Sequence, residues 1–178
     1  IISVGEVLID LTQTGTTDQG IPAFAANPGG APANVAVAAA RLGAETAFFG
    51  KVGRDSFGAY LRRVLEENGV DCSGLRTGSQ PTTLAVVSVD SRGERDFQFI
   101  RGADCTLSPE EVDEEALGRT KFLHFGSVSL TAGLERNATI FAARHAHRAG
   151  VLVSYDPNYR APLWKNPEEA AQWMAIPL

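Results

Sequence analysis

Several features are scarce in this chain of 178 residues, and each scarcity excludes a class of protein. The 16 Lys and Arg residues are outnumbered by 21 Asp and Glu, which gives a net charge of −5 with no dense basic run. Nucleic acids and anionic membranes are bound by concentrated basic surfaces, so we expect neither as a partner. No stretch approaches the roughly 20 consecutive apolar residues of a membrane span. The opening residues 1–6 lack a basic segment and a signal cleavage site, so we expect a cytoplasmic protein.

Metal-binding and redox patterns are scarce too. Cys72 and Cys105 stand far apart without a C-x-x-C pattern, which predicts two inert, reduced thiols and neither a disulfide framework nor a zinc site. His145 and His147 lie two positions apart on a predicted helix, so they point in different directions and cannot share a metal. His124 lies in an apolar strand and is interpreted as a hydrogen-bonded core histidine rather than a base. We therefore predict no metal site.

The composition is that of one ordinary globular domain, with 44% hydrophobic and 21% charged residues. Neither G-x-G-x-x-G nor G-x-x-x-x-G-K-[ST] occurs, so the Rossmann and P-loop fingerprints are both absent.

Apolar and helical segments alternate along the chain. Residues 1–10 predict one mostly buried strand that ends at Asp10, and residues 31–42 predict a helix with Pro32 in its first turn and Gly43 after its end. Further strands are predicted at 47–49, 122–125 and 151–155, and further helices at 55–67, from 108, at 133–148 and from 166. This alternation predicts an α/β fold with a mostly parallel sheet flanked by helices.

Two segments do not fit the wound sheet, at about 11–26 and 82–101. Both are β-rich and turn-rich without an intervening helix, so we predict hairpin-like excursions. In the second segment Phe97 and Phe99 alternate with polar neighbours and share one face.

A ligand cleft is predicted at the carboxyl ends of the parallel strands, where such sheets bind ligands. Asp10, Gly29, Gly30 and Asp156 follow strands or the excursions, so they are candidates for this cleft. The two glycines directly precede a helix, where the missing Cβ atoms would let a ligand touch the backbone. The alternative is a turn that needs positive φ.

The spacing Gly29-Gly30-x-Pro32-x-Asn34-x-Ala36, followed by Gly43 and Gly53, resembles the first signature of the PfkB, or ribokinase-like, sugar kinases. Further pieces resemble the fructokinase branch of that family, so the resemblance spans the whole chain. These pieces are Gly5-Glu6-x-Leu8-Ile9-Asp10, Gly50-Lys51-Val52-Gly53-x-Asp55-x-Phe57-Gly58, His124-x-Gly126-Ser127-x-Ser129-Leu130 and Tyr155-Asp156-Pro157-Asn158-x-Arg160-x-Pro162-Leu163-Trp164.

The resemblance implies a ribokinase-like fold and ATP-dependent phosphorylation of a sugar hydroxymethyl group. ATP and Mg²⁺ are the implied cofactors, and K⁺ is a further candidate ion. The cleft would lie between the α/β body and a small β-sheet lid formed by segments 11–26 and 82–101. Through this lid we expect a homodimer, because an uncovered sheet presents apolar residues and free edges.

The resemblance also implies roles for individual residues. Asp10 would accept hydrogen bonds from sugar hydroxyls, Gly29 and Gly30 would let the sugar lie on the backbone, and Asn34 would contact a further hydroxyl. An ionised carboxylate only accepts hydrogen bonds, whereas an Asn side chain both donates and accepts them.

Phe97 and Phe99 would cover the sugar and exclude water, or else pack between sheet and lid. Arg101 and Arg160 carry planar guanidinium groups suited to phosphates or an anionic sugar, with a surface salt bridge as the alternative for Arg101. Asn158 is placed with Arg160 on the phosphate side, either as a ligand contact or as part of the strand-end loop.

Family members carry a second signature of the type Asp-Thr-x-Gly-Ala-Gly-Asp, whose last aspartate is the general base. This sequence does not contain it, so we expect that base after Leu178 and expect residues 1–178 alone to be inactive. One interpretation is the N-terminal portion of a sugar kinase, and the other is a short non-catalytic sugar-binding module. Fructose is the predicted substrate. Its alternatives are 2-keto-3-deoxygluconate and ribose-like sugars, because in segment 99–104 the part from Arg101 to Asp104 is shorter than the Arg-Asn-Pro-x-Ala-Asp run of fructokinases.

Overall fold

The computed structural model describes residues 1–89, 95–131 and 133–177, with side chains at 1–87, 98–131 and 133–177. The strands are β1 (Ile2–Val4), β2 (Leu8–Thr16), β3 (Pro22–Gly29), β4 (Thr46–Gly53), β5 (Val70–Asp71), β6 (Leu75–Gly78), β7 (Leu84–Val89), β8 (Arg95–Ile100), β9 (Phe122–Gly126) and β10 (Leu152–Asp156). The helices are α1 (Ala31–Arg41), α2 (Ser56–Glu67), α3 (Glu114–Arg119), α4 (Gly133–Arg148) and α5 (Pro167–Met174).

The main sheet has the strand order β10-β9-β1-β4-β5, with β6 also paired to β4, and its neighbours run parallel. Phe48 and Phe49 are consecutive on β4, so they point to opposite faces, and each is buried in a different hydrophobic cluster. Burial on both faces explains why these strands are apolar throughout rather than alternating. On the outer strand β10, Leu152 and Val153 remain 62% and 37% exposed.

A second, small sheet has the order β3-β2-β7-β8. β2 pairs antiparallel with β3, β7 pairs antiparallel with β8, and the two hairpins join through a parallel pairing of β2 with β7. The two predicted excursions therefore build one mixed sheet. The predicted α/β architecture, with a mostly parallel sheet and a separate small sheet, is confirmed.

The prediction of one strand over residues 1–10 is wrong. The run divides at Gly5 into β1 of the main sheet and β2 of the small sheet, so Asp10 lies within the small sheet. Gly5 has φ 140°, and a Cβ there would lie 2.9 Å from Cγ of Pro32. A glycine at this position lets the chain leave one sheet for the other within a few residues.

The helix ends follow local signals, with one exception. α1 starts after Gly30, carries Pro32 in its first turn and ends before Gly43, and the Asp55 carboxylate caps α2 by accepting from the Gly58 amide at 2.8 Å. The helix predicted from residue 108 is instead a short 3₁₀ turn, and α3 begins only after Asp113. No helix within the described residues combines the length and the apolar character that crossing a membrane requires.

Candidate functional site

A cavity of about 400 Å³ opens between the small sheet, the start of α1 and the segment that follows β9. It gathers most of the predicted site residues, namely Asp10, Gly30, Asn34, Phe99, Asn158 and Arg160. The remaining lining residues are Glu6, Leu8, Thr12, Asn27, Ala31, Ala85, Val87, Gly126, Ser127 and Val128. The position agrees with the carboxyl-end cleft expected for a parallel α/β sheet.

Asp10 presents a half-buried carboxylate on β2, between Asn27 of β3 and Ala85 of β7 in the strand register. Burial raises the pKa of this carboxyl group, and the positive charge of Arg160 opposes the rise. Asp10 is thus an acceptor in the cavity, accompanied by a guanidinium group that also lines it.

Gly29 and Gly30 both lie close against other parts of the protein, Gly29 against side chains and Gly30 against backbone. A Cβ on Gly29 would lie 2.2 Å from Oδ2 of Asp10, so this glycine makes room for the carboxylate. Gly30 has φ 106°, and its Cβ would lie 2.4 Å from the Glu6 carbonyl oxygen. Gly30 therefore meets the positive-φ requirement and also lines the cavity, whereas Gly29 lies behind Asp10 and is not among the lining residues.

The walls of the cavity differ in polarity. Asn34, in the first turn of α1, is exposed and offers an amide. Phe99 on β8 pairs with Ala85 and, with Val87, forms an apolar wall on the small sheet. The backbone of Phe97 pairs with Val87, but its side chain lies outside the described residues.

The opposite wall is the loop after β9, which is tied to the loop after β10. The Ser127 hydroxyl donates to the Asn158 carbonyl at 2.6 Å, and the Ser127 amide donates to the Asp156 carbonyl at 3.1 Å. These bonds hold the segment that carries Asn158 and Arg160 at the cavity. Asp156 is exposed and is not among the lining residues.

Arg101 lies apart from the other predicted site residues. It does not line the cavity, and its guanidinium group forms ion pairs with Asp104 at 2.9 Å and with Glu135 at 2.6 Å. Its side chain is 15% exposed, so the alternative of a salt bridge holds, although the bridge is buried rather than on the surface. The sequence did not indicate this partner, because Glu135 is far away along the chain.

Glu6 is a lining residue that sequence reasoning did not single out. It is 2% exposed, its Oε1 accepts from the Ala31 amide at 3.2 Å, and its Oε2 has no hydrogen-bond partner among the described residues. Burial raises the pKa of this carboxyl group to about 7. The available signal was an acidic residue inside the apolar run at residues 1–9.

The remaining titratable candidates have structural surroundings. His124 is buried with Nδ1 3.0 Å from the Ser154 hydroxyl, which confirms the prediction of a hydrogen-bonded core histidine. Burial lowers its pKa. Burial also raises the pKa of the Cys72 thiol to about 11 and of the Cys105 thiol to about 12, so both are protonated at neutral pH.

One potential cation site occurs within the part of the chain that the structure describes. Asp104, Cys105 and Glu135 place donor atoms within 4.8 Å of one another. The Arg101 guanidinium group, however, is bonded to both carboxylates and supplies the positive charge there. We assign no metal to this cluster.

A parallel α/β body with a polar cavity at its strand ends defines a class of small-molecule-binding proteins. Within that class the chain belongs to the pfkB family of carbohydrate kinases, whose family model matches residues 1–177. The resemblance found in the sequence is thereby confirmed.

The chain is similar to proteins named as fructokinases. It is 47% identical over 183 residues to probable fructokinase-3 of Arabidopsis thaliana, covering 99% of this chain and 53% of that protein. The fructokinase of Xylella fastidiosa with bound ATP matches with a TM-score of 0.92 and 38% identity, covering 99% of this chain and 57% of that one. The fructokinase of Vibrio cholerae O395 with fructose, ADP and calcium ion bound matches with a TM-score of 0.82 and 34% identity, covering 98% of this chain and 56% of that one. The expected ribokinase-like fold is confirmed, and the chain spans about half the length of the relatives it matches.

Proposed function

We propose that the whole protein is an ATP-dependent kinase that phosphorylates the hydroxymethyl group of fructose and yields fructose 6-phosphate. The observation that carries this proposal is the cavity in which the Asp10 carboxylate, the Asn34 amide and the start of α1 converge beneath Phe99. A carboxylate acceptor, an amide and an aromatic wall together suit a neutral polyol. Membership of the pfkB carbohydrate kinases and the similarity to fructokinases support the same activity.

In this proposal Asp10 accepts hydrogen bonds from two sugar hydroxyls and Asn34 contacts a third. The sugar rests against the backbone at Gly30, which lines the cavity, and Phe99 excludes water from the side of the small sheet. Gly29 serves indirectly, by making room for the Asp10 carboxylate. Phe97 is proposed to cover the sugar together with Phe99.

Arg160 and Asn158 are proposed to face the phosphate groups. Both line the cavity, and Arg160 is exposed, so its charged fork of donors can reach an incoming nucleotide. ATP supplies the γ-phosphoryl group when bound, and Mg²⁺ offsets its charge. The nucleotide-binding portion and the general-base aspartate are proposed to follow Leu178, since residues 1–178 lack the second family signature.

The surroundings of Arg101 favour fructose over 2-keto-3-deoxygluconate. A keto-acid substrate needs a cation facing its carboxylate. Arg101 does not line the cavity and is already paired with Asp104 and Glu135, and Arg160, which does line it, is assigned here to the phosphate groups. Ribose-like sugars differ from fructose in size rather than charge, and they remain an alternative substrate class.

We also propose a homodimer through the small sheet. Among the described residues no further strand pairs with the outer strands β3 and β8, and Phe24 and Ile100 on them are 43% and 51% exposed. Light scattering at a protein concentration of about 10 μM, which is well above the dissociation constant of a stable dimer, should give twice the monomer mass. A monomer mass there would contradict the proposal. A cytoplasmic location likewise stays a prediction.

A kinase assay on the full-length protein tests the activity. Its intact mass, compared with the 18.9 kDa of residues 1–178, establishes whether a second portion follows. ADP release is then measured with fructose, ribose or 2-keto-3-deoxygluconate, each with ATP and Mg²⁺, with and without K⁺. We expect the highest kcat/KM for fructose. A natural mass of 18.9 kDa with sugar binding but no turnover would favour the non-catalytic module, and turnover restricted to another sugar would refute fructose as substrate.

A further inference from the structure

Arg101 directly follows β8, where the chain returns from the small sheet to the main body. From this position its guanidinium group reaches three side chains of the body. Nε donates to Asp104 Oδ2 at 2.9 Å, Nη1 donates to Thr131 Oγ1 at 2.9 Å, and Nη2 donates to Glu135 Oε2 at 2.6 Å. One side chain thus fastens the end of β8 to the body at three points.

The cluster is buried and Arg101 keeps its charge within it, whereas burial raises the pKa of the Glu135 carboxyl group well above its ordinary value and Arg101 opposes that rise. The side chains of Asp104 and Glu135 are 0% and 1% exposed. Burial by itself lowers the pKa of Arg101, but the charges of Glu135 and Asp104 more than offset it and raise the pKa above its ordinary value. A lysine could not replace this arrangement, because an ammonium group lacks the planar fork that meets several acceptors at fixed angles.

The same cluster holds the start of β7. The Thr83 hydroxyl donates to Asp104 Oδ1, and the Gly102 amide donates to the Thr83 hydroxyl oxygen at 2.6 Å. The Thr83 carbonyl in turn accepts from the Ile9 amide at 3.1 Å, which joins β7 to β2. Arg101 and Asp104 therefore anchor the bases of both strands of the second hairpin.

This anchor connects the two walls of the cavity. Phe99, two residues before Arg101, lines the cavity from the small sheet, and Val128 lines it from the main body. Nη1 of Arg101 donates to the Val128 carbonyl at 3.4 Å. A change in the position of this guanidinium group would alter the gap between Phe99 and Val128.

We infer that Arg101 is a positioning residue that sets the separation of the two cavity walls, and thereby the affinity for sugar, without touching the sugar. This inference rests on the proposed function, because the ligand whose affinity it controls is the sugar substrate. It gives Arg101 a role different from phosphate or substrate contact.

The test is Arg101→Lys in the full-length protein, with Arg119→Lys as a matched control. Arg119 pairs with Glu115 on the exposed surface of α3, far less buried than Arg101. We expect Arg101→Lys to raise KM for fructose about tenfold, the effect of losing one charge-assisted hydrogen bond, with kcat and KM for ATP within about twofold of the wild type. Amide exchange of residues 98–101 should also accelerate, and the control should leave all of these quantities unchanged.

The outcomes are distinguishable. A merely structural role would lower the melting temperature and the active fraction but leave KM for fructose unchanged, and that result overturns the inference. A wild-type protein that phosphorylates no sugar refutes the proposed function and the inference with it. If Arg101→Lys does not fold, Thr131→Val removes one acceptor of the guanidinium group and should raise KM for fructose about threefold. Folded Thr131→Val protein with wild-type KM and exchange would overturn the inference as well.

Discussion

Replacing Gly30 by alanine tests how strictly the backbone packing beside the cavity depends on the absence of a side chain at this position. Gly30 precedes α1 with φ 106°, and a Cβ there would lie 2.4 Å from the Glu6 carbonyl oxygen and 3.0 Å from the Val7 Cα. Both neighbours are backbone atoms, so no change of rotamer can relieve the overlap. The main chain at residues 6–7 would have to move, and with it the base of β2.

The size of the effect follows from two contributions. A non-glycine residue at this φ costs about 1–3 kcal/mol of strain, and overpacking against backbone adds about 1–3 kcal/mol. Gly43, at the other end of α1, provides the matched control, because it has φ 90° and no atom of the described residues lies within 4 Å of its Cβ position. The strain of a positive φ and the gain from restricting the unfolded chain apply to both substitutions and cancel in the comparison, so the overpacking of about 1–3 kcal/mol remains.

Thermal and urea unfolding of the full-length variants measure the difference. Gly30→Ala should be about 1–3 kcal/mol less stable than Gly43→Ala, or about 2–12 °C lower in Tm at about 2–4 °C per kcal/mol. Equal stability of the two variants would refute the reasoning, since it would mean that the backbone near Glu6 yields without cost.

Three further predictions concern side chains in and around the cavity. Asp10→Asn should lower kcat/KM for the sugar roughly ten- to a hundredfold. The control Asp18→Asn, in the exposed turn between β2 and β3, should leave kcat/KM unchanged. An Asp10→Asn variant with unchanged kcat/KM would exclude Asp10 from the site. Because burial raises the pKa of Glu6 from 4.5 to about 7, the native state holds a proton that the unfolded state releases, so stability should fall as pH rises through that interval. Glu6 contributes about 2 kcal/mol of this loss between about pH 5 and about pH 7.5, measured by urea unfolding. Glu6→Gln should remove that share and leave the shares of Asp10 and Glu135, whose pKa values burial also raises; an undiminished pH dependence in that variant would exclude Glu6 as a source. The thiols of Cys72 and Cys105 should react with a thiol reagent at about pH 8 roughly a hundredfold more slowly in native than in unfolded protein, and rapid native labelling would contradict their protonated state.

The parts of the fold that depend on neighbouring residues could be predicted from the sequence. Pro32 and Gly43 delimit α1, and Asp55 caps α2, because each acts within one helical turn. The division of residues 1–10 at Gly5 could not be predicted, since an apolar run is compatible with one strand or two. A close approach to Pro32, which lies on a later helix, decides between them.

The candidate site shows the same limit. Gly30 and Asn34 were recognised because they stand in one motif and Asp10 because it ends another, and the structure brings all three to one cavity. The two alternatives for Arg101 could not be separated from the sequence, because its partner Glu135 is contributed by α4 and no local pattern indicates that ion pair. The buried ion pair forms only where the end of β8 packs against α4, two elements that are far apart in sequence.

The place of β1 in the main sheet has a consequence for the order in which the protein folds. Ile2 pairs with Ala47 on one side and with Leu123 on the other, so β1 lies between one strand that is moderately distant in sequence and one that is very distant in sequence. During synthesis β1 emerges well before β9, so the edge of β1 that pairs with β9 stays unpaired until that later segment appears. Closing such long loops is slow, and unpaired apolar strands are prone to aggregate. Nascent chains halted before β9 should therefore be the species that depends most on chaperones.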